Sequence, residues 1–195
     1  MPVIRTRLLN AMNRRSLWLL LMALAFAAGV VWIWLSAVPS SATTGDLISS
    51  PREGFLAPDF TLEAIGGETF TLSDLRGSVV VVNLWASWCP PCRAEMPALQ
   101  QVYEKYRDRG LEILAVNTTY QDREAEARAF VDELGLSFPI LLERTGEMAR
   151  EYQLRAMPST FFIDREGVIR KVILGGPMSE ATLQTAIEEL LEEMP

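Results

Sequence analysis

No histidine occurs anywhere in the 195 residues of this chain. That one absence removes the commonest general base, the commonest metal ligand and imidazole ligation of haem iron. Cysteine is nearly absent too. Cys89 and Cys92 are the only two, and proline fills both positions between them. A disulfide-dense scaffold is therefore excluded, as is a four-ligand Cys/His zinc site within one chain. Acidic residues are missing from the first 45 positions, and no internal repeat is present. Any chemistry must draw on thiols, carboxylates or backbone groups, and no cofactor or bound metal is expected.

Charge is also absent from Leu17 to Leu35, LWLLLMALAFAAGVVWIWL, a run of 19 residues. As a helix rising about 1.5 Å per residue it would extend roughly 28 Å, close to the thickness of a bilayer core. It is apolar on every face, unlike most core helices, and longer than the roughly 7 to 15 apolar residues of a cleavable signal. The expectation is a transmembrane signal anchor over residues 17–38, with cleavage near Ala42 as the alternative. Arg5, Arg7, Arg14 and Arg15 precede the run, and no Lys or Arg follows it until Arg52. That asymmetry keeps the basic N-terminus, residues 1–16, cytoplasmic and places the rest outside a bacterial cell membrane.

Residues 39–54, within SAVPSSATTGDLISSPREG, read as a flexible linker. From residue 39 onward the chain carries 14 basic against 25 acidic side chains, a balance unsuited to nucleic acid or an anionic lipid surface.

Residues 55–195 alternate strand and helix patterns. DFTL and ETFTL flank Gly66-Gly67 as a small hairpin, and Ser73 is placed to cap a short turn. VVVVNLWA, residues 79–86, is apolar on both parities, as a central strand covered on both faces must be, and would bury Asn83. A helix from Cys89 to Arg109 follows, with Pro97 expected to kink it. LEILAVN, FPILLE, MPSTFFID and VIRKVILGG read as further strands. REAEARAFVDELG, GEMAREYQL and residues Glu180 to Glu192 read as helices. The alternation implies an α/β sandwich with a mixed central sheet flanked by helices.

Three chemistries suit the cysteine pair. A structural staple across so short a loop removes only about 2 kcal/mol of unfolded-chain entropy, and a domain of this size does not need it. A metal clip would need dimerisation for zinc, although two thiolates can hold copper(I). Thiol–disulfide exchange needs one accessible thiolate and a second thiol close by. A strand-to-helix junction supplies both, with Cys89 at the helix N-terminus and Cys92 one turn on and more buried.

WCPPC after an apolar strand, APDFTL at the domain start, CRAEMP on the helix and MPST before a late strand together resemble the thioredoxin superfamily. More narrowly they resemble the TlpA/ResA-like membrane-anchored thiol–disulfide oxidoreductases, with their redoxin/AhpC-TSA-like domain. The resemblance covers residues 54 to 192. It implies a thioredoxin-like fold, a redox disulfide Cys89–Cys92 and an extracytoplasmic role acting on protein disulfides, apocytochrome c among them; a monomer is the default expectation. It also implies recharging by a transmembrane donor of CcdA/DsbD type.

Site residues follow from the same comparison. Trp88 shields the nucleophile Cys89. Pro90 and Pro91 delete two backbone donors, leaving the N–H of Cys92 nearest the sulfur, and neither supplies the histidine found in strongly oxidising relatives. The thiolate is then weakly stabilised, which points to a reductant, with an oxidase or isomerase of folding secreted proteins as the alternative. Glu95, three residues beyond Cys92, is half buried in this reading and exchanges a proton with the second thiol, a role periodicity alone leaves even with an exposed helix-start glutamate. Asn83 stands where thioredoxins carry an aspartate. Pro158 is implied as a cis-proline, so that Met157 offers main-chain groups to an extended substrate. Peroxidase chemistry is disfavoured, since Ala86 and Val82 occupy the places where peroxiredoxins need Ser/Thr and Pro.

Overall fold

The computed structural model describes residues 5–36 and 49–192. The chain divides into two units, Met1–Asp46 and Leu47–Pro195. The first contains a single 32-residue helix, α1 (Arg5–Ser36), whose side chains are described over residues 17–32 and are exposed throughout. Among the described residues no helix is long and apolar enough to cross a membrane. The charge-free run continues past position 32, where the described side chains stop, so the expected anchor 17–38 lies only partly within them. Ala42 and the linker up to residue 48 lie outside the described residues, as do residues 1–4.

The second unit opens with a hairpin of β1 (Thr61–Glu63) and β2 (Thr69–Thr71), followed by a 3-10 turn at Leu72–Leu75. Then come β3 (Val79–Trp85), α2 (Pro90–Tyr106), β4 (Leu111–Asn117), α3 (Glu124–Leu134) and β5 (Ile140–Leu142). The chain finishes with α4 (Glu147–Glu151), β6 (Ser159–Ile163), β7 (Ile169–Leu174) and α5 (Glu180–Glu192). The main sheet has the order β5-β4-β3-β6-β7, with β3, β4 and β5 parallel, β6 antiparallel to β3, and β7 antiparallel to β6 at the edge.

Every residue of β3 is buried, because alternate side chains enter different cores. Val79, Val81 and Trp85 join Met96, Leu99 and Val102 of α2 and Leu183 and Ile187 of α5. Val80, Val82 and Leu84 join Leu72, Phe161, Met148 and Tyr152 on the opposite face. Each such side chain taken fully out of water contributes about 1.5–3 kcal/mol. That two-sided burial is what the unbroken valine run requires.

Three local details depart from the expectations. The folded body begins before residue 55: Gly54 N–H donates to Ile169 O at 2.8 Å, and Ser49 bridges Leu56. Backbone groups of this segment thus pair with Ile169 at the start of the edge strand β7. Ser73 does not cap the 3-10 turn; its own N–H is received by Asp59 Oδ1 at 2.9 Å. Asp59 and Pro58, whose carbonyl accepts from Tyr152 Oη at 2.8 Å, therefore give the APDF stretch a structural task. Helix α2 runs through Pro97 as one continuous element. Gly135 ends α3 in the left-handed region at φ +60°, where its N–H reaches Asp132 O and that of Leu136 reaches Val131 O.

Candidate active site

Parallel β3 delivers the chain at Trp85 to a short turn, and α2 begins at Pro90, four residues beyond Ala86. Cys89 is the N-cap, in extended conformation, and its carbonyl accepts the N–H of Arg93 at 3.1 Å. Pro90 and Pro91 form the first helical positions, where a missing N–H is tolerated. The first donor of the helix is consequently Cys92, whose N–H points at Cys89 Sγ across 3.3 Å. Cys89 and Cys92 are joined by a disulfide. Cys92 is wholly buried, and Cys89 exposes only 3% of its surface, less than an accessible nucleophile was expected to show. The reason lies in its surroundings: Cys89 packs into the same core as Trp85 and Met96 and meets solvent only at the edge of a cleft.

That cleft, roughly 480 Å³, is lined by Trp88, Cys89, Pro90, Pro91 and Met157, so five of the expected site residues converge there. Trp88 is 54% exposed and its Nε1–H donates to Gln121 O at 3.1 Å. Trp85 is the core tryptophan, 5.7 Å from the Phe130 ring. The Met157–Pro158 peptide is cis. Among the described residues neither main-chain group of Met157 has a hydrogen-bond partner, which leaves a donor and an acceptor available to an extended ligand.

Glu95 and Pro158 lie beneath the cleft and do not line it. Glu95 is fully buried, where half-burial was expected. Its Oε1 accepts from Asn83 Nδ2 at 2.8 Å, and its Oε2 from the Met178 N–H at 3.1 Å. Asn83 also donates to Thr160 Oγ1 at 2.9 Å, its direct cross-strand neighbour, while its Oδ1 is buried without a partner. Burial pushes the Glu95 pKa up from the ordinary glutamate value, and the bonds from Met178 and Asn83 offset part of that rise. A carboxyl group one helical turn from a buried thiol, with a raised pKa, holds its proton to higher pH than an ordinary glutamate and is placed to exchange it with that thiol.

Two residues of the site have no counterpart in the sequence reading. Asp122 accepts four hydrogen bonds: from Ser87 N (2.6 Å), Ser87 Oγ (2.6 Å), Asn117 Nδ2 (2.7 Å) and Arg123 N (2.8 Å). Burial alone would raise its pKa, but these donors hold it below the usual aspartate range. Asp122 thereby ties the turn before Cys89 to the end of β4. No local pattern in TTYQDRE marks it, because its partner Ser87 is 35 positions away. Gly176 is the second. A Cβ there would sit 2.7 Å from Pro158 Cγ and 2.8 Å from Glu95 Oε2. Gly176→Ala should therefore cost about 1–3 kcal/mol by overpacking and move the pH profile of thiol exchange; denaturation and a pH series measure both, and an unchanged profile would show that Glu95 does not feel this wall.

The chain is similar to known proteins in sequence and in fold. A model of the AhpC/TSA family matches residues 54–172. The thioredoxin-like protein YneN of Bacillus subtilis (strain 168) is 42% identical over 125 residues, which cover 64% of this chain and 72% of YneN. The thiol-disulfide oxidoreductase ResA of Halalkalibacterium halodurans is 38% identical over 145 residues, 74% of this chain and 81% of its own. A crystal structure of a DsbE-type thiol:disulfide interchange protein from Chlorobium tepidum superposes with a TM-score of 0.67 at 34% identity, covering 73% of this chain and 99% of that one.

Proposed function

The chain belongs to the AhpC/TSA family and is a thiol–disulfide oxidoreductase of the ResA and DsbE type, and from that premise we propose that it reduces protein disulfides outside the cytoplasm. In this reading the Cys89 thiolate attacks one sulfur of a client disulfide, forming a mixed disulfide and releasing the first client thiolate. Cys92 gives its proton to the ionised Glu95 and attacks Cys89 Sγ. The second client thiolate leaves and is protonated from the same carboxyl group. Two electrons have passed from the cysteine pair to the client, and the enzyme is left with its Cys89–Cys92 disulfide. Trp88, Pro90 and Pro91 frame the nucleophile. Met157, beside Pro158, offers its N–H and C=O to the client backbone as an added strand would.

The observation that carries the direction of transfer is the single backbone donor on Cys89 Sγ, from Cys92. With prolines at both intervening positions and no histidine in the chain, little stabilises the Cys89 thiolate. A less stabilised reduced form means a lower potential, about 30 mV for each 1.4 kcal/mol. The couple should equilibrate with glutathione or dithiothreitol below about −220 mV, read by Trp fluorescence; above about −180 mV the protein would be an oxidant or isomerase.

The compartment rests on the charge-free run at residues 17–35 behind four arginines. In this reading residues 1–16 lie in the cytoplasm, 17–38 make a single membrane pass, and a linker from residue 39 leads into an extracytoplasmic domain that already includes Ser49 and Gly54 and acts as a monomer. Electrons would then come from a membrane dithiol carrier of CcdA/DsbD type, and apocytochrome c is the first client to try.

A further inference from the structure

The cleft beside Cys89 is continuous with a second hollow of roughly 310 Å³ over α4, the two sharing Tyr120, Leu154 and Arg155 as a common wall. The lining of both contains two arginines, Arg155 and Arg150, and no acidic side chain. That is unexpected in a chain whose residues from 39 onward carry 25 carboxylates against 14 cations. Neither arginine enters an ion pair among the described residues, whereas Arg93, Arg107, Arg123, Arg128, Arg144 and Arg170 each do. Both are exposed, and the cleft lining that also holds Cys89 includes Tyr120 (44% exposed) and Trp88.

On this basis we infer that the paired hollows bind an extended client segment in which an acidic side chain lies close to the cysteine under attack, its carboxylate meeting Arg155 and Arg150. This deepens the reading of the protein as a disulfide reductase and rests on it. Apolar parts of the segment lie against Tyr120, Leu154 and Trp88, and the unpaired guanidinium groups receive the charge in a planar two-point fashion that lysine would not reproduce. At physiological ionic strength the screening length is about 8 Å. Distant carboxylates of the acidic surface are then largely masked, while a contact pair in the cleft is not.

The test uses the full chain, reduced, and three peptides of equal length carrying one disulfide, with Glu, Ser or Lys on either side of the reacting cysteine. The readout is the ratio of second-order rates within each protein, so changes in thiol chemistry cancel. Near 0.15 M salt the Glu peptide should react about fivefold faster than the Lys peptide, the scale of one exposed ion pair. Near 1 M salt, where screening shortens to about 3 Å, the ratio should fall towards one. Joint Arg150→Glu and Arg155→Glu replacement should invert it. Equal rates for the three peptides, or faster reaction of the Lys peptide as the overall acidic surface would dictate, overturns the inference. Neutral 2-hydroxyethyl disulfide, measured alongside, isolates the parent reading: if the reduced enzyme leaves it untouched, the reductase assignment fails and the client specificity fails with it.

Discussion

Glu95→Gln should slow disulfide exchange by about 100-fold at pH 7, the lower end of what a positioned proton donor or acceptor contributes, and flatten the pH dependence above neutrality. Glu95 is the one titratable side chain buried against the Asn83–Thr160 pair one turn beyond Cys92. Glutamine keeps its shape and loses its proton. The variant should also fold well. Asn83 can rotate its amide to present Oδ1, buried and without a partner, to the new NH2, and the glutamine oxygen can still accept from Met178.

Stability supplies an independent check on the same residue. The Glu95 pKa is raised in the folded protein, so between the unfolded value, about 4.3, and the raised value the native state holds a proton the unfolded chain has lost. Stability conferred by this group therefore falls as pH rises through that window. Above it, Glu95→Gln should be more stable relative to the parent than it is near pH 4, while remaining the slower enzyme. Denaturant titrations at pH 4 and pH 8 with matched exchange rates decide this. A variant as fast as the parent at pH 8 would return Glu95 to a purely structural role.

Asp122→Ala should lower stability by about 2–4 kcal/mol, because hydrogen bonds to a charged acceptor are worth about 1.5–3 kcal/mol each and are not additive. Four donors lose their acceptor at once, two of them on Ser87, two residues before Cys89. Trp88 is bound to Gln121, the neighbour of Asp122, so the turn carrying the nucleophile and the shielding indole loosen together and exchange slows with them. Here the pH sign is opposite to that of Glu95. The folded pKa is depressed, so the stabilisation is present above the unfolded value of about 3.9 and is lost as pH falls through the folded one. The parent should lose this advantage over Asp122→Ala in acid. A difference below about 0.5 kcal/mol at pH 7, within the range of an ordinary surface substitution, would mean that water replaces the carboxylate.

Much of this arrangement is readable from local pattern. Apolar residues on both parities over Val79–Trp85 require a strand covered twice, and β3 is that strand. Three-and-four spacing along α2 and α5 marks their buried faces, and the three-residue step from Cys92 to Glu95 puts thiol and carboxyl group on one of them. Cys89, Cys92, Pro90 and Pro91 stand out as the only cysteine motif in a chain without histidine, and the family resemblance singled out thiol–disulfide exchange among the chemistries open to them.

Other features have no local signature. Whether Glu95 is half or wholly buried depends on the loop from Gly176 to Met178, which packs onto it across 83 positions of sequence. Asp122 reads in sequence as one more surface acid, yet it secures the turn before Cys89. The cleft gathers residues 88–91, 120–121 and 154–157, three segments far apart in the sequence. Sequence by itself determined most of the elements and placed the cysteine pair at a strand-to-helix junction, since helical and strand periodicity act between near neighbours. Only tertiary structure decided which carboxylates are desolvated and which arginines are left without partners. A charged side chain has the same local sequence signature in solvent as in a site, and its environment is set by contacts between distant segments.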